Sequence, residues 1–186
     1  MKAAEHYRGR EQTYLKHFFL ERYLERVAYN VGSFAPDFVY VDAFAGPWRT
    51  DDPDFEDTSP IIAANTLRAV RQGLQRSGKS TVRIRCAFIE SDQRAYARLR
   101  KLTERVSDIE VLALYSTFED AIPRLLEFVS DSFSLTFVDP TGWTGYRLDL
   151  IAPLLRRRLG EVIVNFMYDH MNRFDASFDH VFGSSR

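Results

Sequence analysis

The chain has 186 residues, a length typical of one domain, and its 45% hydrophobic and 27% charged residues exclude intrinsic disorder, collagen-like repeats and coiled coils. Its 25 basic and 26 acidic residues leave a net charge of -1, which excludes a global basic field for nucleic acid. One cysteine, Cys86, excludes an intramolecular disulfide, and no apolar run reaches the roughly 20 residues of a membrane span. The N-terminus lacks a secretion signal, so we expect a cytoplasmic protein without a membrane segment.

The chain opens with an amphipathic pattern. Charged side chains of segment 14–27 lie mostly opposite five apolar ones, namely Leu15, Phe18, Phe19, Tyr23 and Val27. This spacing predicts a helix that packs on the domain or forms a lid. We assign residues 1–35 to this N-terminal helical extension.

Strand-like and helix-like segments then alternate. Five short apolar runs occupy residues 37–43, 82–90, 110–115, 134–139 and 161–168. Helical patterns begin between them near Pro60, Gln93, Phe118 and Tyr146. The alternation predicts an α/β fold with a mostly parallel sheet covered by helices on both faces. We expect a single domain, 1–186, with a core of residues 36–170 and a tail of residues 171–186.

The first strand ends at Asp42, beside the edge where ligands bind in such sheets. Gly46 permits a close backbone approach, and Ser59 and Pro60 are the expected N-cap and first residue of the next helix. The amides at that helix start favour ligand binding across the loop. The alternative is an ordinary turn that Asp42 caps.

The second strand ends at Glu90, whose two carboxylate oxygens match the hydroxyl groups of a ribose. The alternative is a solvated turn carboxylate, with Asp92 as the N-cap of the next helix. After the third strand, the small polar residues Ser116 and Thr117 are candidates to contact the edge of an adenine. Phe118 is a candidate to cover the face of the same ring. Helix capping by either hydroxyl explains this segment equally well.

The fourth strand ends in Asp139-Pro140, and Trp143 follows as a stacking surface. The pair fixes a turn that presents the carboxylate and the Pro140 carbonyl to the cleft, or it only starts a tight turn. His170, after the fifth strand, is a candidate base, although such a histidine is more often a capping or surface residue. Three arginines follow one another at 156–158. We expect them either to place favourable positive charge at a helix end or to form a phosphate-binding patch.

Residues 73–80 fit the phosphate-loop pattern G-x-x-x-x-G-K-S. That loop functions only after a strand and before a helix, whereas a helical pattern precedes it here and an apolar strand follows it. We therefore interpret Gly73 and Gly78 as helix-termination and loop residues, and a nucleotidase is disfavoured. The sequence also lacks a Gly-x-Gly-x-x-Gly after the first strand, zinc-ligand spacing and a Gly-x-Ser-x-Gly elbow.

These motifs together resemble the Rossmann-like methyltransferases, and more specifically the three-Cys-motif partner family. The resemblance spans most of the chain and rests on segments 15–24, 40–47, 58–60, 88–90 and 137–143. It implies a methyltransferase fold with an S-adenosylmethionine pocket, while the missing zinc-ligand spacing separately predicts no metal site. The implied cofactor contacts are Asp42, Phe44 and Gly46 at the methionine part, Glu90 at the ribose, and Ser116, Thr117 and Phe118 at the adenine.

We expect methyl transfer to an amine or a similar nucleophile, with nucleic acid as the acceptor and Asp139, Pro140 and Trp143 as the catalytic group. The alternative is a non-catalytic module that binds a cysteine-rich partner protein, as the family name implies. Trp48, where many methyltransferases have a second glycine, and the short region after the fifth strand favour that alternative. We expect a fragment or a shortened member that lacks the C-terminal strand pair.

Overall fold

A computed structural model describes residues 4–46, 55, 57–79, 82–140 and 147–165 of the chain. They form a five-stranded sheet in which all neighbouring strands are parallel. The strand order is β3-β2-β1-β4-β5, with bounds β1 Asp37–Asp42, β2 Arg83–Glu90, β3 Glu110–Tyr115, β4 Phe133–Val138 and β5 Gly160–Val164. The α/β fold class is confirmed, and the order is compatible with a Rossmann-like fold.

Helices connect the strands at the places that the apolar periodicity predicts. A short 3-10 helix, Ala4–Tyr7, precedes α1 Glu11–Gly32, α2 Ser59–Arg76, α3 Gln93–Thr103, α4 Phe118–Val129 and α5 Leu148–Leu155. The predicted start at Tyr146, the predicted extension of β5 through residues 166–168, and the tail lie outside the described residues. Within the part of the chain that is described, no helix is long and apolar enough to cross a membrane.

Side chains of β1 alternate between two apolar cores. Phe38 and Tyr40 pack on the face that α1, α2 and α3 cover, and Cys86 of β2 is buried in the same core. Val39 and Val41 pack on the opposite face, against α4 and α5. The prediction of strands covered on both faces is therefore confirmed, as is the buried state of Cys86.

The buried face of α1 differs from the predicted one. Its buried side chains are Leu20, Leu24, Val27, Ala28 and Val31, whereas Leu15, Phe18 and Phe19 are 63%, 42% and 49% exposed. The chain passes from α1 directly into β1, so the C-terminal half of the helix lies against the sheet. The N-terminal half extends past the carboxyl edge of the strands, where the sheet offers no surface to cover the predicted apolar stripe.

Two predicted helix caps are confirmed and one is wrong. Asp92 Oδ1 accepts from Ala95 N at 2.8 Å, and Thr117 Oγ1 accepts from Asp120 N at 3.1 Å. Ser59 is instead the first residue of α2, with Thr58 at the N-cap position and Pro60 in the first turn. The Ser59 hydroxyl is used elsewhere, in a hydrogen bond to Asp42.

The phosphate-loop pattern lies between a helix and a strand, as the sequence context predicts. Gly73 is inside α2, and Gly78 has a φ of +71° in the turn before β2; Ser80 lies outside the described residues. The prediction that Gly73 ends a helix is therefore wrong. Gly73 is required for close packing, because a Cβ there would overlap the hydroxyl of Tyr29 on α1.

Candidate functional site

The strand order reverses between β1 and β4, and the loop after β1 is attached to both neighbouring strands. Ala43 N donates to Phe137 O of β4 at 2.9 Å, and Ala45 N donates to Ile89 O of β2 at 2.9 Å. These bonds hold the loop at the carboxyl edge of the sheet. A crevice at this switch point is the usual ligand site of open α/β sheets.

A cavity of about 520 Å³ lies at this edge. Its walls come from the start of α1, the loop after β1, the start of α2 and the end of β4. The lining residues are Gly9, Arg10, Glu11, Gln12, Thr13, Lys16, His17, Phe44, Gly46, Asp57, Thr58, Ser59 and Asp139. Of the sequence-predicted site residues, Phe44, Gly46 and Asp139 therefore share one cavity.

Asp42 lies beneath this cavity and is 1% exposed. Its Oδ1 accepts from Phe44 N at 3.2 Å, its Oδ2 accepts from Tyr40 Oη at 3.4 Å, and the Ser59 hydroxyl is a further partner. Burial raises the pKa of Asp42 to about 6, although these hydrogen bonds oppose the shift. The carboxylate is thus a buried group next to the cleft that gains a proton as the pH falls through about 6.

Asp139 follows β4 and connects three elements. Its Oδ1 accepts from Lys16 Nζ of α1 at 2.7 Å and from Asn165 Nδ2, directly after β5, at 2.7 Å. The side chains of Lys16 and Asp139 are 30% and 21% exposed, so water screens the ion pair only in part. Pro140, the next residue, is buried. The N-terminal helix is therefore joined to the carboxylate that the sequence predicts to be catalytic.

The start of α1 also contributes a neutral imidazole. Burial lowers the pKa of His17 to about 4. The positive charges of Lys16 and Arg10 lower this pKa further, whereas the negative charges of Asp57 and Asp139 raise it. The hydroxyl of Tyr7, which is 1% exposed, lies 3.2 Å from His17 Nδ1. Because the ring is uncharged at neutral pH, it is a hydrogen-bonding group of the cleft wall.

A second ion pair closes the other wall. Arg10 Nη2 lies 3.2 Å from Asp57 Oδ2, and the Asp57 side chain is 5% exposed. The start of α1 thus spans the cavity between Asp57, which precedes α2, and Asp139 at the end of β4. Among the described residues, no group of three or more histidine, cysteine, aspartate or glutamate side chains could hold a metal ion.

The residues predicted to bind ribose and adenine do not line this cavity. Glu90 is 4% exposed, its Oε1 accepts from Asp92 N at 2.6 Å, and burial raises its pKa. Ser116 N donates to Glu90 O at 3.1 Å, so the ends of β2 and β3 are joined. Thr117 caps α4, and Phe118 is 2% exposed with its ring 6.1 Å from that of Phe44.

Trp143, Trp48 and His170 lie outside the described residues. Conversely, sequence reasoning gave no site role to Lys16, His17, Arg10 and Asp57, which form most of the charged cavity wall. The pair Lys16-His17 carries the only usable signal, since a cation and an imidazole sit next to each other near the start of an amphipathic helix. Apolar periodicity assigned Lys16 to the solvent face of the helix. It did not predict which part of the fold the start of the helix contacts.

No protein-family model and no curated protein matches this chain. Among solved structures, it is similar to the crystal structure of protein LPL1258 from Legionella pneumophila strain Philadelphia 1, which is described with the family model DUF519. The TM-score is 0.45 and the sequence identity 19%, over 68% of this chain and 55% of that chain. The chain thus spans about half the length of that protein.

Proposed function

We propose that the chain is an S-adenosylmethionine-dependent methyltransferase-like protein of the three-Cys-motif partner family, with nucleic acid as its methyl acceptor. Asp42, Phe44 and Gly46 contact the methionine part, and Glu90 binds the ribose. Ser116, Thr117 and Phe118 surround the adenine. Asp139, Pro140 and Trp143 receive the acceptor.

One observation carries this proposal: Asp42 ends β1 and Asp139 directly follows β4, and the strand order reverses between these two strands. A cavity of about 520 Å³ lies at that point, within the range of roughly 300 to 1,000 Å³ typical of small-molecule sites. Rossmann-like sheets bind their ligands at this position. Two carboxylates from the motifs of the methyltransferase resemblance therefore lie at the edge where a cofactor is expected.

The chemistry of Asp42 fits a cationic cofactor. Its buried carboxyl has a raised pKa, and among the described residues it accepts hydrogen bonds from Phe44 N and Tyr40 Oη and forms no ion pair. Such a group gains from a nearby positive charge, because an opposite charge favours the ionised form. S-adenosylmethionine supplies positive charge through its ammonium and sulfonium groups, and the sulfonium carries the activated methyl group.

The remaining residues orient the acceptor and exclude water. Asp139 accepts a hydrogen bond from the acceptor amine, and the buried Pro140 fixes the backbone that carries this carboxylate. The neutral His17 and the ion pair of Arg10 with Asp57 close the cleft at the start of α1. Methyl transfer to an amine depends on such positioning and desolvation more than on a strong base.

A second candidate is a non-catalytic module that binds a cysteine-rich partner protein. The exposed apolar side chains of Leu15, Phe18 and Phe19 on α1 favour it, since a surface of this kind is typical of protein contacts. The two candidates differ in whether the cleft binds the cofactor.

Calorimetric titration of the chain with S-adenosylhomocysteine tests the proposal, with ATP-Mg and NAD titrated in parallel. We expect micromolar binding, about -8 kcal/mol, of the first ligand alone. The absence of all binding would contradict the methyltransferase proposal and favour the partner module. Binding of ATP-Mg alone would instead restore the phosphate-loop interpretation of residues 73–80.

A further inference from the structure

The two oxygens of the Asp139 carboxylate have different environments. Oδ1 accepts two hydrogen bonds at 2.7 Å, from Lys16 Nζ and from Asn165 Nδ2. Oδ2 accepts none from the residues that the structure describes. Two charge-assisted bonds to one oxygen fix the rotamer of the side chain and leave the other oxygen as the acceptor for a further donor.

We propose that Lys16 is a positioning residue for methyl transfer, holding Oδ1 of Asp139 together with Asn165 so that Oδ2 receives the N–H of an uncharged acceptor amine. This inference rests on the proposed function and assigns a new role within it. It makes the N-terminal helix part of the active site rather than only a cover.

The charges around Asp139 select the acceptor class. Lys16 already balances Asp139, Arg10 balances Asp57, and the imidazole of His17 is neutral. The two aspartates that line the cavity, Asp57 and Asp139, are thus each paired with a cation, which weakens the attraction of either carboxylate for an ammonium ion. An uncharged amine, such as the exocyclic amino group of a nucleobase, fits this environment better than a lysine side chain does.

An uncharged amine also satisfies the balance of the reaction. Its nitrogen lone pair forms the new N–C bond to the methyl group, and the C–S bond breaks with its electron pair going to sulfur. One N–H proton of the amine then leaves to solvent. A lysine ammonium would first have to lose a proton, and the described cleft offers no strong base for that step.

Three variants test the role of Lys16: Lys16→Met, which removes the charge, Lys16→Arg, which keeps it, and Lys101→Met, a control on the exposed face of α3. The first readout is the pKa of His17 by NMR, which needs no substrate. Because the Lys16 ammonium helps to lower that pKa, Lys16→Met should raise it, whereas the other two variants should leave it nearly unchanged.

The second readout is transfer of a labelled methyl group from S-adenosylmethionine to single-stranded RNA and DNA oligonucleotides with unpaired adenine and cytosine. Lys16→Met should lower kcat at least tenfold with little change in the affinity for S-adenosylhomocysteine. Lys16→Arg should recover part of the rate. A lysine-containing peptide, supplied in parallel, should not be methylated.

The outcomes separate this inference from the proposed function. If the wild-type chain fails to bind S-adenosylhomocysteine, the proposed function itself fails. If it binds but Lys16→Met keeps the wild-type kcat, or the pKa of His17 does not move, the positioning role of Lys16 is overturned. Methylation of the peptide, or of neither acceptor, overturns the assignment of an uncharged nucleobase amine.

Discussion

The hydroxyl of Tyr40 donates to Oδ2 of Asp42 at 3.4 Å, two residues further along the same buried strand. Tyr40 is fully buried and the pKa of its hydroxyl is raised, by burial first and then by the Asp42 charge. The bond therefore remains between a neutral phenol and a carboxyl group that burial itself destabilises in its charged form. The charged form of this group lowers the stability of the fold. Groups with strongly shifted pKa values cluster at functional sites, so Asp42 is a candidate functional residue.

Asp42→Asn should therefore stabilise the fold at pH 7. The folded pKa of about 6 lies above the ordinary value of 3.8, so the carboxyl favours the folded state at low pH and this contribution is lost as the pH rises through 6. A difference of two pKa units corresponds to about 3 kcal/mol, which is the upper end of the expected gain. Urea unfolding at pH 7 and pH 4.5 measures it.

The gain should shrink at pH 4.5, where the wild-type carboxyl is largely protonated. The same variant should bind S-adenosylhomocysteine more weakly. Equal stability of the two proteins at pH 7 would contradict the burial of a charged Asp42.

His17 should produce the opposite pH dependence. Its folded pKa of about 4 lies below the ordinary 6.5, so the unfolded chain binds more protons in this interval and stability falls as the pH falls from 6.5 to 4. His17→Asn keeps a hydrogen-bonding group near the Tyr7 hydroxyl but does not titrate. Its unfolding free energy should therefore lose less on acidification than that of the wild type.

Unfolding by urea at pH 7, 5.5 and 4.5 makes this comparison. Asp42 and His17 act in opposite directions between pH 4 and 6, so the double variant separates their contributions. A His17→Asn variant with the wild-type slope would show that the imidazole is not buried in its neutral form.

The packing of α1 on α2 depends on Gly73. A Cβ at this position would overlap the Tyr29 hydroxyl and lie 2.9 Å from Tyr29 Cζ. Gly→Ala inside a helix ordinarily stabilises by about 1 kcal/mol, but here we expect a loss of roughly 1 to 2 kcal/mol from overpacking. Thermal unfolding of Gly73→Ala checks the sign.

The same substitution in a Tyr29→Ala background is the matched control. With the ring removed, Gly73→Ala should become stabilising, as it is in an ordinary helix. If Gly73→Ala stabilised the otherwise wild-type protein, the Tyr29 side chain would have to move away from the new Cβ without loss of stability.

The sequence predicted the strands and the main carboxylates because both depend on local patterns. Continuous apolar runs identify buried strands, and Asp42, Glu90 and Asp139 stand out as charged residues at the ends of such runs. A parallel sheet places all of these ends on one edge, so the location of the candidate site followed from the element order.

The cavity wall could not be predicted in this way, because its residues meet only through the tertiary fold. Lys16 and Asp139 are 123 positions apart, and their pairing depends on how far α1 extends past the sheet. Apolar periodicity describes a helix as though a surface covered its whole length. It therefore placed Leu15 and Phe18 on the apolar face of a packing or lid helix and missed the polar contacts of the neighbouring turn.

Glu90→Ala tests the cofactor assignment at the end of β2. Losing a charge-assisted contact to a diol costs about 1.5 to 3 kcal/mol, so the Kd for S-adenosylhomocysteine should rise roughly ten- to a hundredfold. Calorimetric titration measures the change, with Glu104→Ala after α3 as a control at an exposed glutamate. Because Glu90 also accepts from Asp92 N, the unfolding free energy of the variant is measured alongside. Unchanged affinity in a folded Glu90→Ala variant would remove the ribose role and leave Glu90 as a turn carboxylate, while the wild-type titration alone decides whether the cofactor binds.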